Sequence, residues 1–449
     1  MAKNRPLLLA ALAGLLGLVT VMALVVGRGS SIQTAAGTSN LTVPSANMQL
    51  NPNWKAQPAS GERVSLPWAN IKVNPDSSNE AQNEPFVAVN PNNPNHMVVG
   101  ANSWLVGNGR YEVFAYVSFD GGGTWAASQP YIDRNAGRIN AADPTVAFGP
   151  NGDVYFAFVA LTPSPGAVAV SRSSDGGLTW THQSWATSFA NAADKPALAA
   201  ANGKLYVFYQ GASLYNTVSS DGATWSAPSA IEANGRNAYP VVDSRGNVSV
   251  FYNTNTSIKM ARVSGRVSIS TVANTTPLQQ RPAGYRASIY PAAGVDSAGN
   301  MYVAWADGRN SGRGNDILFS RSTDGRIWSA PVTLNSDSGS ADQLMPALAV
   351  SSNGTVSVAW LDNRNDSANI NYDVYMATSY NRGQSFGANT RVTEVSSNPN
   401  NDPRMQGTMI GDYFALASGN GVMYSLWTDT RNNNQDIYMA PVTVRSPNN

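Results

Sequence analysis

The chain has 449 residues, with 29 Lys and Arg against 28 Asp and Glu, and a formal net charge of +1. Charged residues make up 13% of it, whereas Gly (39) and Pro (26) are frequent, a composition that favours turns and short strands over long amphipathic helices. The balanced charge, without a cluster of basic residues, argues against nucleic-acid binding. The chain lacks cysteine and has two histidines, His96 and His182, which excludes disulfides and thiolate metal sites and argues against a Ser-His-Asp triad.

The N-terminal segment predicts export. Lys3 and Arg5 precede an uncharged apolar run from Leu7 to Val26, which is long enough to span a bilayer. We expect residues 1–30 to be an uncleaved signal anchor that attaches the protein to the membrane, with the rest of the chain outside the cytoplasm. The alternative is a cleaved signal segment and a secreted protein. Residues 31–80 are rich in Ser, Asn, Pro and Gln, which predicts a flexible linker or stalk.

Residues 81–449 contain a repeated hairpin pattern. Each copy has a polar lead-in, usually a Pro, a short apolar strand, a turn with Asn-Gly or Gly-Asn, and a second, aromatic-rich strand. A clear copy is A-D-P-T-V-A-F-G-P-N-G-D-V-Y-F-A-F from Ala142. The lead-ins occur at positions 85, 144, 196, 240, 291, 346 and 411, the last of them without Pro.

A second repeated motif follows most of the hairpins. Its fullest copies are S-F-D-G-G-G-T-W from Ser118 and S-S-D-G-G-L-T-W from Ser173, with weaker copies from Ser219, Ser322 and Ser379. An acid or Asn in such a turn accepts backbone N–H bonds, Gly supplies a positive φ, and the final aromatic residue packs on neighbouring strands. We therefore predict turns that join a third strand to a fourth, with structural roles for Asp120, Asp175, Asp221, Asp324 and Asn381.

Four antiparallel strands repeated at this spacing predict an all-β protein with the β-propeller fold. We expect seven blades, with six as the alternative, because the fourth unit lacks the Asp-type turn. A β-sandwich would not require so regular a four-strand unit. A strand between Arg63 and Val73 is expected to complete the last blade and to protect its edge.

Propeller connectivity places the lead-ins at the mouth of the central channel, on the top face. The acids expected to ring this mouth and to bind a ligand there are Glu84, Asp143, Asp194, Asp342 and Asp412. These carboxylates would cap loops or hold a calcium ion, and the sequence does not choose between the two roles.

The last three blades carry a further repeat on the same face, W-A-D-G-R-N, W-L-D-N-R-N and W-T-D-T-R-N. Its acids are Asp307, Asp362 and Asp429, its arginines are Arg309, Arg364 and Arg431, and Asp316 opens the strand after the first copy. Converging guanidinium groups would clamp a carboxylate ligand beside a general acid. The other interpretation is a salt bridge within each blade, which a repeat would copy with its other structural residues.

The S-x-D-x-G-x-T-W turns resemble the Asp boxes, or bacterial neuraminidase repeats, of sialidases and related propellers. The resemblance covers residues 83–445. It implies an arginine triad that grips the carboxylate of sialic acid, an Asp acid/base, and a Tyr nucleophile with a Glu partner. On this chain it indicates Arg309 for the triad, Asp316 for the acid/base, and Tyr290 or Tyr413 for the nucleophile. The sequence departs from the Arg-Ile-Pro motif of that family, because Ile289 and Tyr290 precede Pro291 and Arg286 comes three residues too early.

Two functions follow from these features. The first is an extracytoplasmic, sialidase-like propeller that binds a glycan or another carboxylate-bearing ligand at its top face. If it is an enzyme, we expect exo-sialidase-type glycoside hydrolysis, with Asp316 as acid/base and Arg309, Arg364 and Arg431 as clamps. The second is a non-catalytic scaffold for a protein partner. Neither function requires a cofactor, although calcium is compatible with the lead-in acids.

Overall fold

The computed structural model describes residues 69–105, 110–132, 140–161, 166–181, 183–279, 285–286, 288–310, 312, 314–405 and 409–444. Apart from a single 3-10 turn at Phe189–Asn191, the regular elements in these ranges are all strands. Within the same ranges, no helix has the length and apolar character needed to cross a membrane. The predicted signal anchor at residues 1–30 lies outside the described part of the chain.

Twenty-eight strands form seven four-stranded antiparallel sheets, which confirms the all-β propeller with seven blades. The strands of blades 1 to 3 are β2 (Ala81–Asn90), β3 (Asn93–Leu105), β4 (Arg110–Ser118), β5 (Ala126–Ser128), β6 (Asn140–Phe148), β7 (Val154–Leu161), β8 (Ala167–Ser173), β9 (Gln183–Trp185), β10 (Asp194–Ala201), β11 (Lys204–Gln210), β12 (Ser213–Ser219) and β13 (Ser229–Ala233). Blades 4 and 5 contain β14 (Arg236–Val242), β15 (Val248–Asn253), β16 (Ser257–Arg262), β17 (Ser268–Asn274), β18 (Ala292–Val295), β19 (Met301–Asp307), β20 (Asp316–Ser322) and β21 (Val332–Thr333).

Blades 6 and 7 contain β22 (Gln343–Val350), β23 (Val356–Asp362), β24 (Asp373–Ser379), β25 (Thr390–Arg391), β26 (Ala415–Gly419), β27 (Val422–Asp429), β28 (Asp436–Thr443) and β1 (Ile71–Lys72). Blade 7 therefore takes its outer strand from the beginning of the propeller. Ile71 pairs with Met439, and the N–H of Val73 donates to Ile437 O at 2.8 Å. The prediction that an N-terminal strand completes this blade is confirmed for Ile71–Lys72, and residues 63–68 lie outside the described ranges.

The core lies between neighbouring blades, where apolar side chains of the inner strands pack. Trp305, Trp360 and Trp427 occupy equivalent places near the ends of β19, β23 and β27, and each is completely buried. Because each indole N–H donates to the Asp two residues later in its own blade, the burial leaves no donor of these side chains unpaired.

The Asp-type turns share one hydrogen-bond pattern, and they join the third and fourth strands as the sequence predicts. In blade 1, Ser118 Oγ donates to Asp120 Oδ1 at 2.8 Å, and the N–H of Thr124 donates to the same carboxylate at 2.9 Å. Equivalent bonds hold the turns of Asp175, Asp221, Asp324 and Asn381. Their acceptors are consumed by the turn itself, which is consistent with a structural role.

Two of these turns also tie their blade to the one before it. The indole N–H of Trp180 in blade 2 donates to Ser128 Oγ in blade 1 at 3.0 Å, and Ser128 Oγ donates to Gly177 O at 2.5 Å. Trp225 in blade 3 contacts Ser184 in blade 2 in the same way. The fourth strand of one blade is thus fastened to the turn of the next.

Candidate active site at the channel mouth

A backbone bulge aims the lead-in residues at the channel. In five blades the pairing of the first and second strands shifts at the lead-in, so that two residues lie opposite one. The first residue of each bulge has a positive φ, between 47° and 56°, and these residues are Glu84, Asp143, Lys195, Asn237 and Met345. Residues other than Gly adopt this backbone conformation at an energetic cost. It therefore persists only where the surrounding structure holds it, and it is frequent at functional sites.

Asp412, in the lead-in of blade 7, is the centre of a charged network. Its Oδ2 lies 2.5 Å from Lys195 Nζ of blade 3, and its two oxygens accept from Nε and Nη2 of Arg286 at 2.8 and 2.5 Å. The N–H of Asp412 donates to Glu84 Oε1 of blade 1 at 2.9 Å. Lead-ins of non-adjacent blades therefore meet at the channel mouth. We call the group the channel-mouth cluster, which comprises Glu84, Asp143, Asp194, Lys195, Arg286, Tyr290, Asp412 and Tyr413.

Asn102 links the Glu84 carboxylate of blade 1 to the backbone of Asp143 in blade 2. Its Nδ2 donates to Glu84 Oε2 at 2.9 Å, and its Oδ1 accepts the N–H of Asp143, also at 2.9 Å. Glu84 is 1% exposed, and Arg286 Nη2 lies 3.6 Å from its Oε1. These contacts fix both the position and the orientation of the Glu84 carboxylate.

Asp143 and Asp194 form an acid pair. Their carboxyl groups lie within hydrogen-bonding reach of each other, and that of Asp143 also reaches Glu84. Loss of solvation, together with the negative charge of neighbouring carboxylates, raises the pKa of each to about 6, although Lys195 opposes the shift. Asp194 keeps water-accessible surface although protein atoms surround most of its carboxyl group, and Gln210 Nε2 donates to it at 2.8 Å, so the pair is both accessible and held in place. Two such groups titrate as a unit that retains a proton close to neutral pH.

The cations of the cluster stay charged. Burial opposes the charged form of Lys195, but the carboxylates around it, Asp412 foremost, raise its pKa well above the ordinary lysine value. Burial likewise disfavours the Asp412 carboxylate, but Lys195 and Arg286 hold its pKa below the usual range. Both cations of the cluster are therefore already paired with its carboxylates.

Two tyrosines line the same space. The rings of Tyr290 and Tyr413 lie 5.8 Å apart, and Lys195 Nζ is 5.5 Å from the centroid of Tyr290. Burial raises the pKa of both phenols well above the ordinary value, so neither is a ready phenolate. The Tyr290 hydroxyl is buried and has no hydrogen-bond partner in the described structure. An orphaned polar group beside charged residues is suited to receive a ligand hydroxyl.

The arginines predicted as carboxylate clamps lie elsewhere on the top face, each on its own aspartate. Arg309 donates from its backbone N–H and Nε to Asp307 Oδ1 and from Nη2 to Oδ2, at 2.8 to 3.0 Å. Arg364 on Asp362 and Arg431 on Asp429 repeat these contacts. Among the described residues the three arginines share no partner, so the structure does not bring them together as one clamp. Their predicted role as catalytic clamps stays a prediction.

This three-bond arrangement, which we call the D-x-R clasp, forms in all three copies of the repeat on the top face. A further copy joins Arg404 to Asp402, with the same three bonds, at 3.0 and 3.1 Å. Because the aspartates of all four copies are completely buried, each needs its arginine to compensate the charge. The geometry favours the structural interpretation of the repeat.

The other predicted acids hold loops. Asp316 accepts from Asn310 and, at 2.8 Å, from Asn335 Nδ2, whereas Asp342 accepts from Asn315 and Asn369. Of the five predicted channel acids, four belong to the channel-mouth cluster and Asp342 does not. Among the described residues, Asp316 forms no hydrogen bond to a tyrosine or a glutamate of the kind that the resemblance implies, and its catalytic role also stays a prediction.

Sequence reasoning missed two members of the cluster. Lys195 occupies the position immediately before Pro196, where Glu84 and Asp143 stand in their own repeats, so its place in the repeat would have identified it. Arg286 lies outside the repeated lead-in pattern, and no spacing rule points to it. Within the described ranges no group of three or more His, Asp or Glu side chains is arranged to hold a metal ion, and the calcium site stays a prediction without structural support.

No protein-family model and no curated protein matches the sequence. Many solved structures share the fold. The phage phi92 endosialidase aligns with a TM-score of 0.50 and 8% identity, over 84% of this chain and 69% of the endosialidase. The GH93 α-L-arabinofuranosidase of Fusarium graminearum, solved with arabinobiose, gives 0.48 and 13%, over 84% and 98%. YCF48 bound to D1 peptide gives 0.46 and 15%, over 85% and 98%.

At such identities the likeness concerns the fold alone, because one propeller architecture hosts unrelated functions. The shared fold therefore does not choose between the two functions that the sequence predicts. The chain has a seven-bladed β-propeller fold.

Proposed function

We propose that the channel-mouth cluster binds a glycan and hydrolyses a glycosidic bond, with the Asp143–Asp194 pair as general acid. The observation that carries the proposal is the meeting of Asp143, Asp194 and Glu84 at a place that water reaches, where burial and the neighbouring carboxylates raise the pKa of each of the two aspartates to about 6. A proton held near neutral pH is what the leaving oxygen of a glycoside requires, and the usual partner is a second carboxylate nearby. Glu84, fixed by Asn102 and the N–H of Asp412, supplies that carboxylate.

The charge of the cluster favours an uncharged glycan as substrate. Four carboxylates stand against two cations, and Lys195 and Arg286 both pair with Asp412. A sialoside would bring a further carboxylate, which needs a cation that is free to bind it. Uncharged sugars need hydrogen-bond donors and acceptors instead, and the orphaned Tyr290 hydroxyl and the Asp194 carboxylate provide them. We therefore propose neutral glycosides as substrates in preference to the sialosides that the resemblance implies.

The proposal is tested by hydrolysis of 4-nitrophenyl glycosides, with a set of neutral sugars and a sialoside as probes. The parent protein is expected to cleave at least one neutral probe, with an acid-dependent rate whose upper pKa lies near 6. Asp143→Asn should lower kcat by about 10²- to 10⁴-fold, the usual contribution of a general acid. Asp153→Asn is the matched control, because Asp153 pairs with Arg172 away from the channel mouth. Cleavage that survives Asp143→Asn and Asp194→Asn would reject the site.

The non-catalytic scaffold remains the second candidate, because the cluster joins lead-ins of blades 1, 2, 3, 5 and 7 and would stabilise the ring without any ligand. If no probe is cleaved while Asp412→Asn unfolds more readily than the parent, the cluster serves the fold and the scaffold is favoured. The proposed location outside the cytoplasm rests on the sequence of residues 1–30.

A further inference from the structure

The outer edge of blade 4 departs from the other blades. The outer strands of blades 1, 2, 5, 6 and 7 have two or three residues, whereas β17 has seven. Blade 4 also lacks the Asp-type turn, and a short Ser-Gly-Arg turn joins β16 to β17 instead. Departures from a repeat are places where function rather than folding has selected the residues.

Apart from one register shift at Val272, β17 has none of the usual protections of an edge strand. Its sequence, S-I-S-T-V-A-N, contains no charge, proline or glycine, and residues of this kind favour strand pairing. The stretch from Ser268 to Thr271 pairs regularly with β16, and the register shifts only at Val272. About half of the backbone N–H and C=O groups of such a stretch point away from the sheet. A further strand can therefore be added along Ser268–Thr271.

The two faces of this edge differ in chemistry. Val267 and Ile269 alternate on one face and are 44% and 43% exposed. On the other face, Ser270 Oγ donates to Gly325 O at 2.9 Å, which fastens the Asp-type turn of blade 5 against the strand. That turn carries Arg326 and Ile327, the latter 78% exposed. One face of the edge is thus apolar, and the other carries an arginine beside an apolar side chain.

The charge around the edge is positive. Arg266 precedes the strand and Arg326 lies in the adjoining turn, and both are exposed. Neither forms a salt bridge to a carboxylate among the described residues. Their charges are available to an acidic partner.

We infer that the Ser268–Thr271 edge, with Arg266, Val267, Arg326 and Ile327, docks an extended acidic peptide of a partner protein by strand addition. The edge supplies main-chain hydrogen bonds, and the alternation of a strand directs successive side chains of the peptide to opposite faces. Apolar side chains contact Val267 and Ile269, and acidic side chains face Arg326. The inference is independent of the glycosidase proposal, because the edge is on the rim and the cluster is at the channel.

The test uses the full chain and a short, fluorescently labelled synthetic peptide of alternating Glu and Val. We expect saturable binding that weakens as salt rises, and binding about tenfold weaker for a peptide with Lys in place of Glu. A Glu/Val peptide in which Pro replaces one central residue should also bind weakly, because Pro removes a main-chain donor. Equal binding of the Pro peptide would overturn strand addition.

Variants locate the binding. Arg266→Glu with Arg326→Glu should weaken binding of the acidic peptide by at least about tenfold and improve that of the Lys peptide. Arg245→Glu is the matched control, since Arg245 is exposed on the inner hairpin of the same blade and should leave binding unchanged. An equal loss of peptide binding in Arg245→Glu would mean that the attraction is nonspecific. Dimers that form with rising protein concentration and that Ile269→Lys abolishes would identify a second copy of the chain as the occupant. Either result rejects the inference.

Discussion

Lys195 of blade 3 and Asp412 of blade 7 form a salt bridge across the channel, with 2.5 Å between Nζ and Oδ2. These blades are as far apart in the ring as two of seven can be, so the bridge joins opposite sides of the propeller. Arg286 binds the same carboxylate, and Asp412 therefore balances two cations.

Asp412→Asn should destabilise the propeller by about 2–3 kcal/mol, because it leaves Lys195 without its closest anion; Arg286 is partly exposed and contributes less. The free energy of unfolding in urea measures the effect. Asp153→Asn, which breaks an exposed pair with Arg172, should cost no more than about 1 kcal/mol. A similar loss in both variants would mean that the cross-channel bridge has no special weight.

The acid pair should make stability fall as pH rises. A carboxyl whose pKa is raised to about 6 binds more protons in the folded than in the unfolded state between about pH 4 and 6, so its contribution is largest below this window and is lost above it. Asp143→Asn should remove this dependence of the unfolding free energy on pH. Relative to the parent, the variant should be more stable at pH 8 than at pH 4 by about 1 kcal/mol, a value that allows for water in the channel. Urea unfolding of parent and variant across this range tests the prediction, and parallel curves would contradict it.

The contacts between neighbouring blades should stabilise the protein most where the indole N–H of the turn has a hydrogen-bond acceptor. Ser128→Ala removes the acceptor of the buried Trp180 N–H and should cost about 1–3 kcal/mol. Ser270→Ala is the control, because Trp328 in the next blade has no partner for its N–H and only the bond to Gly325 O is lost. Thermal unfolding compares the two variants, and an equal loss would show that the indole bond contributes little.

The D-x-R clasp should matter for stability and not for ligands. Arg364→Ala leaves the buried Asp362 uncompensated and should lower the free energy of unfolding by about 2–4 kcal/mol. Hydrolysis of any probe that the parent cleaves should be unchanged, as for Arg245→Ala, whose side chain is exposed. Loss of sialoside cleavage in a folded Arg364→Ala protein would restore the clamp predicted from the sequence.

The sequence predicts the fold because the repeat is visible in single residues. Pro at most of the lead-ins, Gly in the hairpins and the Asp-type turns of five blades mark many of the strand boundaries, and they predict seven blades, with six as the alternative. The same regularity misleads about the site. The three D-x-R arginines attract attention because they repeat, yet their repetition reflects a local clasp that compensates a buried aspartate.

The candidate site could be predicted only in part. Glu84, Asp143, Asp194 and Asp412 follow from propeller connectivity, which places the lead-ins at one channel mouth. Arg286 could not be predicted, because it reaches Asp412 from a segment outside the repeat. The sequence also does not reveal that the carboxyl groups of Asp143 and Asp194 lie close together. Their proximity depends on the bulges, whose positive φ angles arise from the pairing with the second strand.

The outer strand of the last blade has a consequence for biosynthesis. Ile71–Lys72 cannot pair until Asp436–Thr443 has been made, so the first and last parts of the propeller wait for each other during translation. Until then the growing chain exposes an unclosed sheet edge at each end, and such edges favour aggregation. A chain truncated before Asp436 would therefore retain six complete blades but would behave as an aggregation-prone polypeptide rather than as a smaller propeller.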